Sequence, residues 1–364
     1  WTPDNAANTV TRVNKTTLAT VTIPLATGTG PHQIAEFGGY MWVTCASGHV
    51  ERIDPGTDTA TTWANPVGFT LYGIAVTGST LWVLQYGAPY TLRQVNTAAP
   101  GFLASVNLVD QCYLMTGDAT HLYLLGINST TVYKVDPSVP SIVDTWNNLT
   151  IASNNFSIME DGDYVWVSSQ SNQIVERFRK SDGVVVNTIP FSGYTCCFLA
   201  KNDKYVFVST YTSSSSILMI HRETGEKAGV LWDGNEFLQG YGITHDGDNL
   251  WLANYSGNTI KKIIGKGYLR TRGWTKIDIV RELGQIRIYI DHELMATGAD
   301  ATNYNHVAPL YIGAASNTSS FNGNIDQLVI VKGEALYSGN SYAENSSGKV
   351  KFYPFRVADP TTTA

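Results

Sequence analysis

An aromatic residue recurs in one setting every forty-odd residues, and this limits the chain to architectures built from copies of a small unit. The settings are EFGGYMWVTC, VTGSTLWVLQ, GDATHLYLLG, EDGDYVWVSS, KNDKYVFVST and HDGDNLWLAN, with the aromatic at Trp42, Trp82, Tyr123, Trp166, Phe207 and Trp251. Successive spacings are 40, 41, 43, 41 and 44 residues, and Trp1 stands 41 residues before Trp42. Trp1 therefore reads as a seventh member. The chain is expected to start inside a unit, with something upstream removed or left out.

Each unit continues with a second alternating run, a turn rich in Asp, Pro, Gly or Thr, and a third run, as in HVERIDPGTDTATTW and IVERFRKSDGVVVNTI. A short apolar strand opens each full unit, around QIAEF, GIAVT, YLMTG, SIMED, FLAKN and GITHD. Four short strands per unit without helical periodicity predict a propeller blade. One twisted sheet cannot bury both faces alone, so blades pack around an axis and the repeated aromatic residue fills the wedge between neighbours. The first unit lacks its opening strand and the last lacks a clear fourth strand. The count is seven blades, or six if the N-terminal piece only completes the last blade.

Composition narrows the function classes. The 364 residues carry 15% charged side chains and a net charge of -6, with a pI near 5.6. Duplex binding needs clustered Lys and Arg, so no nucleic-acid partner is expected. No run approaches the roughly 18 apolar residues of a membrane span. The four cysteines, Cys45, Cys112, Cys196 and Cys197, lack the paired spacing of a zinc site or disulfide scaffold and read as small buried hydrophobes.

The segments GPHQIAEFGGYMWVTCASGHVERIDPGTDT and YGITHDGDNLWLANYSGNTIKKI resemble the repeats of YVTN and NHL propellers and of streptogramin-lyase-like propellers. The resemblance covers roughly residues 1–265 and implies the fold; enzymes, adhesins and surface proteins all share such repeats. A propeller is expected over residues 1–266 and a second β module over 267–364.

In that second stretch, IRIYIDHELMAT, PLYIGAA and FNGNIDQLVIVKGEAL resemble the C-terminal half of a laminin-G-like, concanavalin-type jelly roll. Tyr337 with the following SGN resembles the closing segment of phage-associated versions. The family's first strands have no evident counterpart after the propeller, so the sandwich reads as partial. Its open apolar face is expected to be covered by the propeller, a second subunit or residues upstream of Trp1.

Propeller sites form where the innermost strands meet, because every blade supplies one side chain there. Aligning the units puts His32, Tyr72, Cys112, Phe156, Cys196 and Tyr241 in that ring. With one histidine among six, the ring reads as a plugged or adhesive channel, and no catalytic residue is assigned. The streptogramin-lyase resemblance gives histidine a role, so His32 and His245 are the runner-up general acid or base; Asp246 and Asp248 beside His245 read as turn formers. Aromatic residues at the channel mouth, Tyr72, Tyr113, Phe156, Tyr194, Phe237 and Tyr241, are the candidate ligand-binding set, since aromatic faces beside amides suit sugar rings. Asp291, Asp300 and Asn303 are spaced as oxygen ligands that could hold calcium, the one cofactor the sequence suggests. Asn-x-Ser/Thr sequons occur at Asn14, Asn128, Asn148, Asn155, Asn254, Asn317 and Asn345.

These features together predict a non-enzymatic virion-surface or extracellular protein of the tail-fibre or capsid-decoration type. It would bind a glycan or protein receptor and assemble with other structural subunits or with itself. Two alternatives stand beside it: a propeller lyase or hydrolase with its site at the channel mouth, and a secreted cell-surface adhesin.

Overall fold

The computed structural model describes residues 1–64, 68–127, 129–148, 150, 155–211, 215–233, 239–255, 259–264, 277–282, 285–290, 293–299, 314–316 and 319–320. The chain divides into two compact units, Trp1–Ile264 and Gly265–Ala364. The first is a ring of seven antiparallel sheets. Blade 1 holds β1 (Thr2–Asp4), β2 (Thr9–Val13) and β3 (Thr20–Pro24), and blade 2 holds β4 (Pro31–Phe37), β5 (Tyr40–Cys45), β6 (Val50–Asp54) and β7 (Thr59–Ala64). Blade 3 runs β8 (Thr70–Thr77), β9 (Thr80–Tyr86), β10 (Thr91–Val95) and β11 (Phe102–Asn107). Blade 4 runs β12 (Cys112–Gly117), β13 (Leu122–Gly126), β14 (Val132–Asp136) and β15 (Ser141–Trp146). Blade 5 comprises β16 (Asn155–Asp161), β17 (Tyr164–Ser169), β18 (Ile174–Arg179) and β19 (Val185–Pro190). Blade 6 comprises β20 (Cys196–Lys201), β21 (Tyr205–Thr210), β22 (Ser216–His221) and β23 (Lys227–Asp233), and blade 7 β24 (Gly240–His245), β25 (Asn249–Asn254) and β26 (Thr259–Ile264).

The innermost strands β4, β8, β12, β16, β20 and β24 lie side by side around the axis. β1 meets β4 as β5 meets β8, so β1 occupies the second-strand position of blade 1. The count is seven.

The repeated aromatic residue does what its spacing implies. Trp42, Trp82, Tyr123 and Trp166 are buried and pack on the following blade: Trp42 with Leu71 and Ile74, Trp82 with Cys112 and Met115, Tyr123 with Ile158 and Val165, Trp166 with Leu199 and Val206. Their polar atoms are satisfied, as buried indoles and phenols require. The indole N–H of Trp166 donates to Asp161 Oδ2 at 2.9 Å, that of Trp251 to Asp246 Oδ2 at 2.8 Å, and the Tyr123 hydroxyl to Asp118 Oδ2 at 3.1 Å. The carboxylates of Asp118 and Asp246 also accept backbone N–H groups of their own turns, an arrangement open to Asp and Asn but not to longer side chains.

A cation on the third strand of four blades latches onto the next blade. Arg12 donates to the Pro55 carbonyl at 2.9 Å, Lys134 to that of Lys180 at 3.3 Å, Arg177 to that of Glu223 at 2.8 Å, and Lys262 of blade 7 to that of Lys15 in blade 1 at 2.8 Å. The last contact joins the two ends of the ring.

The second unit contains a three-stranded antiparallel sheet of β27 (Ile277–Glu282), β28 (Gln285–Ile290) and β29 (Glu293–Ala299), and a two-stranded pairing of β30 (Ala314–Ser316) with β31 (Ser319–Ser320). This small module is consistent with a jelly-roll sandwich. Asp291, Asp300 and Asn303, as well as Tyr337, lie outside the described residues. Among the described residues no helix is long and apolar enough to cross a membrane.

Candidate functional site

All six innermost strands contain one extra residue at an equivalent place. Pairing with the second strand skips between Pro31 and Gln33, Leu71 and Ile74, Cys112 and Leu114, Asn155 and Ser157, Cys196 and Leu199, and Gly240 and Ile243. A β-bulge bends its strand and re-aims a side chain. Measured by register from the partner of the repeated aromatic residue, the bulged positions hold His32, Tyr72, Tyr113, Phe156, Cys197 and Tyr241.

Sequence alignment had placed Cys112 and Cys196 in this ring, and the bulges explain the slip of one residue. Both cysteines are buried in the interblade cores with Trp82 and Trp166. Burial pushes the Cys196 thiol up to about 12, which makes it a poor nucleophile. In their place the register puts Tyr113 and Cys197, and the neighbouring Phe198 joins the second aromatic group.

The side chains of the ring form two aromatic groups. In the first, His32 stacks on Tyr72 with centroids 3.8 Å apart and planes 17° apart, and Tyr72, Tyr86 and Tyr113 pack mutually at 4.7 to 5.1 Å. In the second, Tyr241 contacts Phe156, Phe198, Tyr211 and Tyr255 at 5.3 to 5.7 Å, while Phe156 and Phe198 meet edge to face. Preceding blades hold the bulges in place: the Thr44 hydroxyl donates to the Tyr72 carbonyl at 2.6 Å, the Ser168 hydroxyl donates to the Cys197 carbonyl, and Gln33 Oε1 accepts from the N–H of Ile74.

The electrostatics keep the hub neutral. Burial, then the proximity of Tyr86, raises the Tyr72 phenol; burial and the neighbours Tyr86, Tyr72 and Tyr241 raise Tyr113. Tyr241 is pushed up to about 12, first by burial and then by Cys197 and its tyrosine neighbours, Tyr72 among them. Tyr72, Tyr113 and Tyr241 thus sense one another across the two groups, and all remain hydrogen-bond donors at neutral pH. Burial also lowers His32 below the ordinary histidine value, and its Nε2 is buried without a hydrogen-bond partner. An unmet buried polar atom costs about 1–3 kcal/mol, so a partner that reached this nitrogen would be favoured.

Of the residues singled out from sequence, the hub gathers His32, Tyr72, Tyr113, Phe156 and Tyr241. His245 closes β24, at the opposite end of its strand from Tyr241; its ring stacks with Phe207 between blades 6 and 7, and its Nδ1 accepts from the Gly247 N–H. With roughly 3.3 Å per strand residue, the His32 and His245 positions lie at opposite ends of the hub, so they cannot share one substrate atom. Tyr194 lies in the loop between β19 and β20, beside Phe191 and Lys227, apart from the two aromatic groups. Phe237 lies outside the described residues. The sequon residues Asn155 and Asn254 are buried; Asn155 donates to the carbonyls of Gly126 and Ser129, a structural anchor.

Tyr86, Tyr211 and Tyr255 were missed. Each follows its unit's repeated aromatic by four residues, in WVLQY, FVSTY and WLANY, and that offset was the available signal.

Comparison with known proteins defines the class. The fold is similar to virginiamycin B lyase from Staphylococcus aureus, seen as a catalytically inactive form with quinupristin, at a TM-score of 0.62 and 14% identity, covering 71% of this chain and 89% of that one. It is also similar to Kuenenia stuttgartiensis hydrazine synthase, at a TM-score of 0.61 and 17% identity over 72% of this chain and 91% of that one. A streptogramin B lyase structure matches at 0.59 and 14% identity, over 71% and 87% of the two chains. Among curated proteins none matches significantly. A family model described as the concanavalin A-like lectin/glucanases superfamily matches residues 202–336. That stretch includes β21–β26 as well as β27–β31 of the second unit.

The chain is therefore an all-β protein, a seven-bladed propeller resembling the streptogramin and virginiamycin lyase fold. It carries a C-terminal laminin-G-like domain. These similarities correct the reading of a non-enzymatic virion-surface or attachment protein: the propeller matches virginiamycin B lyase, a streptogramin B lyase and hydrazine synthase, which are enzymes and not virion components.

Proposed function

We propose that the chain is a propeller enzyme of the lyase class, acting at the aromatic hub, with His32 as general base and Tyr113 as general acid. The observation that carries this reading is the state of His32: its pKa lowered by burial, its ring oriented by stacking on Tyr72, and its Nε2 buried and unpaired. A base poised in this way can take a proton from a carbon next to a carbonyl. The electron pair left behind forms the new double bond as the bond to the leaving oxygen or nitrogen breaks, and the Tyr113 hydroxyl protonates that leaving atom. The phenolate then recovers its proton from the imidazolium through the bound product or solvent.

The similarity to lyase propellers supports the same class.

The test is a panel of cyclic and linear esters and glycosides bearing a leaving group β to a carbonyl, followed by absorbance of the new conjugated double bond. Turnover is expected to fall about 100-fold or more in His32→Ala, with the melting temperature retained. Turnover that survives this substitution, or a panel with no turnover, overturns the reading.

A further inference from the structure

A second site lies away from the hub, on the rim of blade 6. β23 shifts register twice against β22, at Ile217/Leu218 and at Met219/Ile220, whereas β7, β11, β15 and β19 each shift once against their partners. Gly229 lies on this doubly bulged stretch with φ +135°, a conformation that L side chains rarely adopt. The strand bends there and leaves a cavity of about 240 Å³ bounded by Phe191, Ser192, Tyr194, Lys227, Gly229 and Val230.

Its facing loop is pinned. The Phe191 N–H donates to the Gln173 carbonyl at 2.7 Å, the Gly193 N–H to Gln173 Oε1 at 2.7 Å, and the Tyr194 N–H to the Phe191 carbonyl at 2.9 Å. The Lys227 ammonium sits 5.1 Å from the Phe191 ring centroid and forms no ion pair among the described residues. A recess with two aromatic walls and one cation that is unpaired among the described residues, in a chain of net charge -6, is complementary to an apolar anion. Its volume is below the roughly 300 Å³ of drug-sized pockets, which limits the apolar body to about one ring.

We propose that this recess binds a small carboxylate carried on a single planar ring. The ring packs against Phe191 and Tyr194 over Gly229, and the carboxylate pairs with Lys227. This site is independent of the chemistry proposed for the hub.

The test is a TROSY titration of the full chain with benzoate, and with benzyl alcohol as its neutral isostere. Benzoate is expected to shift the amides of Ser192, Gly193, Gly229 and Val230 and to bind about threefold tighter than benzyl alcohol, the effect of one exposed ion pair. Lys227→Gln should remove that preference, and Tyr194→Ala should weaken both probes. No shift at these amides, equal affinity of the native chain for both probes, or a preference that survives Lys227→Gln overturns the proposal.

Discussion

The Lys262 ammonium donates to the Lys15 carbonyl at 2.8 Å across 247 residues of sequence, repeating between blades 7 and 1 the contact that Arg177 makes with Glu223 between blades 5 and 6. Lys262→Met keeps most of the side chain's packing over Trp251 and removes the charge-assisted bond. The expected loss is about 1 kcal/mol of stability. Hydrogen exchange should show where it falls: amides of β1–β3 and β24–β26 exchange faster, while those of blades 3 to 5 do not. Uniform acceleration through all blades would mean that this bond does not close the ring.

Asp161 is the electrostatic keystone between blades 5 and 6. Its side chain, 2% exposed, accepts from the Trp166 indole, from Lys201 at 3.2 Å and from Arg222 at 2.6 Å. Burial alone would raise the carboxyl, but these donors outweigh it and hold the group below the ordinary 3.8. Asp161→Ala leaves the buried Trp166 indole N–H without its acceptor and takes the carboxylate from Arg222, while Lys201 keeps Glu160, so it should cost about 1–3 kcal/mol. A carboxyl with a depressed folded pKa contributes its full stability above the unfolded value and loses it as pH falls through the folded value. The melting-temperature gap between native and Asp161→Ala protein should therefore be constant above about pH 5 and shrink steadily below pH 3.8.

The ring was legible in sequence because burial between blades demands one large aromatic residue per unit, and Trp42, Trp82 and Trp166 announce themselves. The hub was only partly legible, for a physical reason. A bulge adds a residue to the backbone without requiring any residue type, so the repeat spacing alone points to Cys112 where the bulge presents Tyr113. The latches were invisible because their acceptors are carbonyls, which any residue supplies. Glu51 and Glu176 show the intermediate case. They hold the same place in VERID and VERFR. Glu51 gathers the N–H groups of Thr27 and Gly28 and the Thr62 hydroxyl, and Glu176 the hydroxyls of Thr150 and Thr188. The repetition could be read from sequence, but the loop it anchors could not.

His32 sets the pH dependence of the proposed reaction. Its folded pKa lies below 6.5 because burial disfavours the imidazolium, so the free base persists to lower pH than an exposed histidine would allow. The acid limb of kcat/KM should have its midpoint below pH 6.5. Tyr72→Ala removes the ring stacked on His32 and admits water, so that midpoint should move upward while the melting temperature falls. An acid limb that stays in place in Tyr72→Ala would show that the stack does not set the protonation of His32.

Gly73 tests whether the hub works as one packed unit. A Cβ there would lie 2.8 Å from the Tyr113 carbonyl oxygen of the next blade and 2.8 Å from Leu84 Cδ1. The leucine can rotate, but the carbonyl belongs to the bulge that aims Tyr113, so the methyl group must push that bulge outward. Gly73→Ala should destabilise the chain by about 1–3 kcal/mol and alter the near-ultraviolet circular dichroism of the tyrosines. Gly298→Ala is the control outside the propeller, since its Cβ would meet nothing within 4 Å among the described residues, and it should leave both signals unchanged. If Gly73→Ala lowers stability but leaves the tyrosine signal intact, the bulges tolerate displacement, and the close packing of Tyr72, Tyr86 and Tyr113 does not depend on where their backbone is held.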